Sequence, residues 1–250
     1  MKISRTIASK YKISKRLAKK YIKSGYVLLN SEIIQKDLEL SGDEEVFLLV
    51  SKNIEKYDID KFLIAKYDTV VFLYKPPFMH TERHKLEDDL TLSDIIENNF
   101  SEYRLISRLD YETDGVVPAV KVSFKIDYIR KYYLAFVYGR LDNSLTLRNK
   151  IDAHKKRKVI VPEKVINNET AITPLKYFKD NTLVLVTVSE ATRHQIRALL
   201  SYISHPIAGD KTYGIHDNFP RLMLRCQKVA INNFTASSKN LKSFIKLCKI

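Results

Sequence analysis

Apolar and polar positions alternate along this chain in two rhythms, and the changes between them mark its elements. Leu17, Ala18, Tyr21 and Ile22 fall at helical spacing with lysines between them. They predict an amphipathic helix that Ser14 can cap and Gly25 can stop. Ile3, Ile7 and Ala8 suit a shorter helix before it. Residues 26–30 and 31–34 then read as a hairpin turning at Asn30-Ser31, and Ser41-Gly42-Asp43 precedes a strand over 46–50. Further on, Val70 to Tyr74 is an apolar run that reads as a buried strand ending at Lys75-Pro76-Pro77. Leu92, Ile95, Ile96 and Phe100 return to helical spacing. Residues 131–139 alternate, are rich in aromatics and close at Gly139, as a strand does. Thr182 to Val188 is a second strong strand, followed by a helix through Ala198, Leu199, Leu200 and Ile203 that carries Arg197 near its start. The longest apolar runs are strand-sized, far short of the ~20 residues a membrane helix needs, so a soluble protein is expected.

Composition narrows the partners. Across 250 residues, 43 Lys and Arg stand against 29 Asp and Glu, a net charge of +14, with 45% hydrophobic residues. The charge favours a polyanion such as nucleic acid, and the apolar content excludes a disordered basic tail. Nine of the basic residues (Lys2, Arg5, Lys10, Lys12, Lys15, Arg16, Lys19, Lys20 and Lys23) lie in the first 25 positions, which hold no acid. Such a stretch also suits a mitochondrial presequence, but its excess is lysine rather than arginine and a hairpin follows it. Cys226 and Cys248 are the only cysteines and have no metal-ligand spacing, which points to a reduced, cytoplasmic setting without a disulfide.

The candidate chemistry lies at residues 104–121. Leu105-Ile106 leads into Arg108-Leu109-Asp110, a polar turn with Gly115 follows, and Val116 to Val120 forms a second apolar run. An aspartate at a strand-loop-strand junction is held by backbone on both sides yet open to a cleft, as a catalytic carboxylate must be. The plainer alternative is a turn aspartate satisfying nearby amides. Asp114, beside Gly115, is read as such a turn residue. His80 and His84 have i, i+4 spacing but lack a third ligand, so no metal site is assigned.

Two resemblances then enter. Residues 13–16, 22–30 and 41–43 resemble an S4-like RNA-binding module over positions 1–50, which would use Lys15, Arg16, Lys19, Lys20 and Lys23 against RNA backbone. Residues 70–235 resemble the RluA-type RNA pseudouridine synthases through five blocks in order. These are Tyr74-Lys75-Pro76-Pro77, Ser107-Arg108-Leu109-Asp110, the tyrosine strand from Tyr133 to Gly139, Arg193-His194-Gln195-Ile196-Arg197, and His205-Pro206-Ile207 with Gly209-Asp210 and Tyr213-Gly214. The resemblance implies an α+β protein: a small S4-like module (1–50), a linker (51–68) and a catalytic domain (69–250) with a mixed, mainly antiparallel sheet and a central cleft. It implies Asp110 as catalytic carboxylate, Tyr133 as the ring beside the target base, Arg197 as partner of Asp110, and Arg108, Arg193, His194 and Gln195 as RNA contacts. Ser107, Asp114 and 190–192 depart from the family pattern and bear on substrate contacts. The expected activity is isomerisation of uridine to pseudouridine in structured RNA, large-subunit ribosomal RNA before tRNA, by a monomer with neither cofactor nor metal. The alternative is a non-catalytic RNA-binding ribosome-assembly factor.

Overall fold

The computed structural model describes all residues except 12, 24–26, 31, 43, 49–58, 84–89, 150–158, 160, 162–164, 240 and 249–250, together with the side chains of 20, 149 and 165–168. The amino-terminal unit begins with α1 (Ile3–Lys10) and α2 (Lys15–Lys23). It continues with β1 (Val27–Leu29), β2 (Glu32–Ile34) and β3 (Val46–Leu48), a three-stranded antiparallel sheet in the order β2-β1-β3. Ser14 caps α2 as expected, its Oγ accepting from the Leu17 amide at 3.1 Å. The hairpin turns through Asn30 in the left-handed region (φ 48°), a conformation asparagine tolerates. Ile3, Ile7, Ile13, Ala18, Tyr21, Ile22, Val27 and Val46 form a core of their own. The Gly25 stop and most of the 51–60 stretch lie outside the described residues.

The main sheet starts earlier than residue 69. β4 (Leu63–Lys66) already pairs with β5 (Val70–Lys75), so the end of the expected linker belongs to the sheet. After α3 (Leu92–Asn99) come β6 (Tyr103–Leu105), β7 (Asp114–Lys121), β8 (Ile129–Tyr138), β9 (Leu145–Asn149), β10 (Val165–Tyr177) and β11 (Asn181–Val188). Then follow α4 (Gln195–Tyr202), β12 (Leu224–Ile231), β13 (Phe234–Ser237) and α5 (Leu241–Leu247). The sheet runs β4-β5-β7-β12-β8-β11-β10-β9, with β13 on β12 and β6 on β7. Every pair is antiparallel except β7 with β12, which meet in parallel only at Asp114↔Arg225 and Gly115↔Cys226.

That short parallel seam joins the two halves of the sheet. Gly115 is required there: its φ is 126°, and a Cβ would stand 2.1 Å from the Cys226 carbonyl oxygen. Tyr133 of β8 pairs with Cys226 on the far side of β12, so Gly115, Cys226 and Tyr133 form one row across the seam. The core lies along this sheet, with Phe72, Leu73, Val116, Val117, Phe136, Val184 and Val186 buried. α3 covers part of it through Leu92, Ile95 and Ile96. A capping box starts that helix, Thr91 Oγ1 accepting from the Asp94 amide and Asp94 accepting from the Thr91 amide.

Candidate active site

The loop between β6 and β7 carries Asp110, and its backbone is fixed from beneath. Buried Thr81 holds Leu109 on both sides, its Oγ1 donating to the Leu109 carbonyl at 2.9 Å and accepting from the Leu109 amide at 3.1 Å. Lys75, fully buried at the end of β5, donates to the carbonyls of Pro76 (3.0 Å), Met79 (2.8 Å) and Tyr111 (3.2 Å). Burial lowers its pKa to about 7 even though the nearby Asp114 and Asp110 carboxylates favour its charge. The two neighbours of the aspartate are thus held from below, Leu109 by Thr81 and Tyr111 by the lysine of the lysine-proline block.

Asp110 itself is partly open, with about a quarter of its side chain exposed. Arg197 of α4 donates from Nη1 to its Oδ2 at 2.9 Å. Arg197 is in turn fixed by a bidentate pair with buried Asp210, Nε to Oδ2 at 2.8 Å and Nη2 to Oδ1 at 2.7 Å. Asp210 also accepts from the amides of Thr212 and Tyr213, so its loop and the guanidinium hold each other. Burial works against the charge on Arg197, but the Asp210 and Asp110 carboxylates outweigh it and raise its pKa above an ordinary arginine's. Burial likewise opposes charge on Asp210, yet its bonds to Arg197 win and lower its pKa. Sequence reasoning paired Arg197 with Asp110 and assigned Asp210 no role. The signal for it, an aspartate after Gly209 in a turn-rich loop, has many other meanings.

His194 opens α4 in the left-handed region (φ 58°) without a side-chain cap, and its ring lines the cleft. Its Nε2 is 3.7 Å from Asp110 Oδ1, and its Nδ1 is 3.1 Å from the Tyr213 hydroxyl, which accepts from the Val159 amide. Burial, opposed by the Asp110 carboxylate and aided by Arg197 and Arg193, lowers its pKa below the ordinary histidine value. Gln195 is buried and its side chain is engaged in the turn: Oε1 accepts from the Thr192 amide and hydroxyl, and Nε2 donates to Thr170. Arg193 is exposed at the rim. Arg108 is exposed too, paired with Glu82 at 3.2 Å.

These groups line one cleft of about 770 Å³, room for a nucleotide. Asp110, Arg197, His194 and Arg108 face it, and Tyr133 and Lys131 line it from β8. Tyr133 is 5% exposed, and burial, with the Cys226 thiol beside it, keeps its hydroxyl protonated well past the ordinary range. Asp114 departs from the reading of the sequence. It is no turn residue: it opens β7, fully buried, and accepts from Arg221 Nη1 at 3.0 Å, from Arg225 Nε at 2.8 Å and from the Tyr74 hydroxyl at 3.1 Å. Of the i, i+4 histidines, His84 is outside the described residues and His80 stacks on Tyr111, ring centroids 4.6 Å apart. Among the described residues, no helix is long and apolar enough to cross a membrane.

An aspartate on a braced loop that leads into the seam of a mixed sheet, clamped by an arginine beside a buried tyrosine, is the arrangement the resemblance to the uridine isomerases implies. Comparison with known proteins agrees. The family model for RNA pseudouridylate synthases matches residues 69–202, and the chain belongs to that family, whose members are isomerases. An uncharacterised RNA pseudouridine synthase of Helicobacter pylori (strain ATCC 700392 / 26695) is 29% identical over 248 residues, covering 93% of this chain and 94% of the relative. A protein of Vibrio parahaemolyticus named ribosomal large subunit pseudouridine synthase D is 21% identical, covering 83% of this chain and 70% of its own length. Among solved structures, human RNA pseudouridylate synthase domain containing 1 shares the fold with a TM-score of 0.57 at 17% identity, over 78% of this chain and 98% of that one.

Proposed function

We propose that the protein isomerises uridine to pseudouridine in structured RNA, large-subunit ribosomal RNA before tRNA, with Asp110 as the catalytic carboxylate. The observation that carries this reading is the fixed but open Asp110 carboxylate, one oxygen bound by Arg197 and the other facing the cleft. In the reaction the uracil N1 bond to ribose C1′ breaks, the base turns, and a bond forms from C5 to C1′. A proton leaves C5 and one is gained at N1, so the reaction balances without an electron acceptor or a group donor. Asp110 acts beside the sugar as nucleophile or base. Arg197 orients it, and Asp210 orients Arg197. Tyr133 offers its ring to the base, offsetting part of the cost of unstacking, since base-aromatic stacking typically returns ~1 to 3 kcal/mol. Arg108 occupies the space the flipped nucleotide leaves, and Arg193 and His194 contact RNA at the cleft.

Residues 1–50 serve, in the same reading, as an S4-like RNA-binding module. Lys15, Arg16, Lys19 and Lys23 are exposed while Ala18, Tyr21 and Ile22 are buried, which leaves α2 a basic outer face; the Lys20 side chain lies outside the described residues. Replacing the four exposed cations with serine should lower the salt slope of RNA binding by slightly under one unit for each phosphate they neutralise. An unchanged slope would remove the module from the interface. The enzyme works as a monomer in the cytoplasm.

The reading is tested by mapping pseudouridine in total RNA from cells lacking the protein, then restoring wild type or Asp110→Ala. A site in ribosomal RNA that disappears and returns only with the wild type is expected. A full set of sites in cells without the protein would refute the function.

A further inference from the structure

Among the described residues, Lys131 lies in the cleft without a hydrogen-bond or ion-pair partner. Its side chain is 7% exposed, it sits on β8 two residues before Tyr133, and alternation along the strand puts both on one face. Among the described residues Nζ makes neither a hydrogen bond nor an ion pair. The titratable groups that act on it are the Cys226 thiol of β12 and the Glu190 carboxylate just past β11. Burial holds the thiol neutral, with a pKa of about 12, and Glu190 acts on Lys131 through its charge without forming an ion pair with it. Burial lowers the pKa of Lys131 itself. A buried ammonium with no ion-paired anion among the described residues is costly, and a ligand that develops negative charge there would supply the missing partner.

Resting on the uridine isomerase reading above, we propose that Lys131 is a further catalytic residue, donating from its ammonium to an imide oxygen of the uracil as the base departs. When the bond from N1 to C1′ breaks, its electron pair leaves with the base, and the negative charge spreads over N1 and the carbonyl oxygens. Asp110 meets the sugar on the other side of that bond. A cation beside the ring that receives the base stabilises the charge where it develops, in a site too dry for water to do so. The bond from C5 to C1′ then draws this electron density back, the C5 proton leaves and N1 is protonated. Lys131 returns to its starting state. The backbone phosphates call for cations elsewhere: Arg108, Arg193 and Lys211, all exposed, line the cleft's outer part, whereas Lys131 is beside the base platform.

The test is single-turnover conversion of a target RNA carrying either uridine or 5-fluorouridine at the modified position. It compares wild type, Lys131→Met and Lys131→Arg, with loss of the N1-linked nucleoside as readout and RNA affinity measured in parallel. Fluorine withdraws charge and makes uracil a better leaving group, so it reduces the help needed from a cation. Lys131→Met should slow conversion of uridine by roughly 10²-fold, the usual effect of deleting one preorganised donor to a developing anion, with RNA affinity little changed. The defect should shrink on 5-fluorouridine, and Lys131→Arg should recover part of the rate and extend activity to higher pH. Met keeps the length of the stem and removes a buried charge, so folding is expected to survive, and thermal melts of both variants check it. Equal defects on the two substrates, or weakened RNA binding with an intact conversion rate, would overturn the proposal and make Lys131 a phosphate contact. Wild type inert on both RNAs, or Asp110→Ala still active, would instead overturn the underlying isomerase assignment.

Discussion

Asp110 and Asp114 are four residues apart, and each is bound by arginine, yet they are held in opposite ways. Asp114 is sealed: its side chain is 1% exposed and is shared among Arg221, Arg225 and the Tyr74 hydroxyl, whose own pKa burial and the carboxylate raise to about 12. Its register partner across the parallel seam is Arg225, so this pair closes the join between the two halves of the sheet. Among the described residues Asp110 receives a single arginine bond on one oxygen and leaves the other toward the cleft. The pairing chemistry is the same. What separates a structural carboxylate from a reactive one is how many of its lone pairs the protein has already used, and whether substrate can reach the remainder.

Breaking the sealed site should have the largest effect on the fold. Arg225→Met leaves Asp114 short of a buried partner and should destabilise the protein by about 3 kcal/mol or more in urea melts, with the surviving folded fraction still active per molecule. A loss under about 0.5 kcal/mol, the range of ordinary surface changes, would contradict the role of the seam. Arg197→Lys sharpens the other side of the comparison. A single ammonium cannot bind Asp210 bidentately and still reach Asp110, so the conversion rate should fall roughly tenfold or more while charge is conserved. Full activity would remove Arg197 as the orienting group.

A smaller effect concerns pH. Asp210 has a folded-state pKa below its ordinary 3.8, so it contributes stability above that value and loses it as pH falls toward the lowered one. The stability difference between wild type and Asp210→Asn should therefore be constant near neutrality and narrow below about pH 4, read from urea midpoints across pH. A gap that widens toward acid would reverse the sign and the pairing.

Much of the site was legible because its signals are local. Asp110 between two apolar runs, the tyrosine strand and Arg197 on a helix after a strand follow from spacing within a dozen or so residues, while their grouping into one site was what the family resemblance implied. The strand at Val165–Tyr177 was not foreseen, since Val-Ile-Asn-Asn-Glu-Thr alternates no apolar face and only its pairing with β11 and β9 makes it sheet. Asp114 read as a turn residue because it precedes a glycine. That glycine serves instead to let β12 approach, which brings Arg225 from 111 residues away, a distance no local pattern can carry. Asp210 and Thr81 were missed for the same reason: each acts by holding another residue's position. Lys131 stood inside the strand that was read, but alternation alone could not show that it lacks a partner among the described residues.

The central claim is that Asp110 performs the isomerisation while its neighbour Asp114 only holds the fold. The direct measurement is tritium release from RNA labelled at uracil C5, under single turnover, by Asp110→Asn protein whose melting temperature matches wild type. Release at background for Asp110→Asn, with RNA binding retained and wild type releasing tritium in full, is the predicted result. Release at the wild-type rate from Asp110→Asn would place the reactive carboxylate elsewhere and contradict the account.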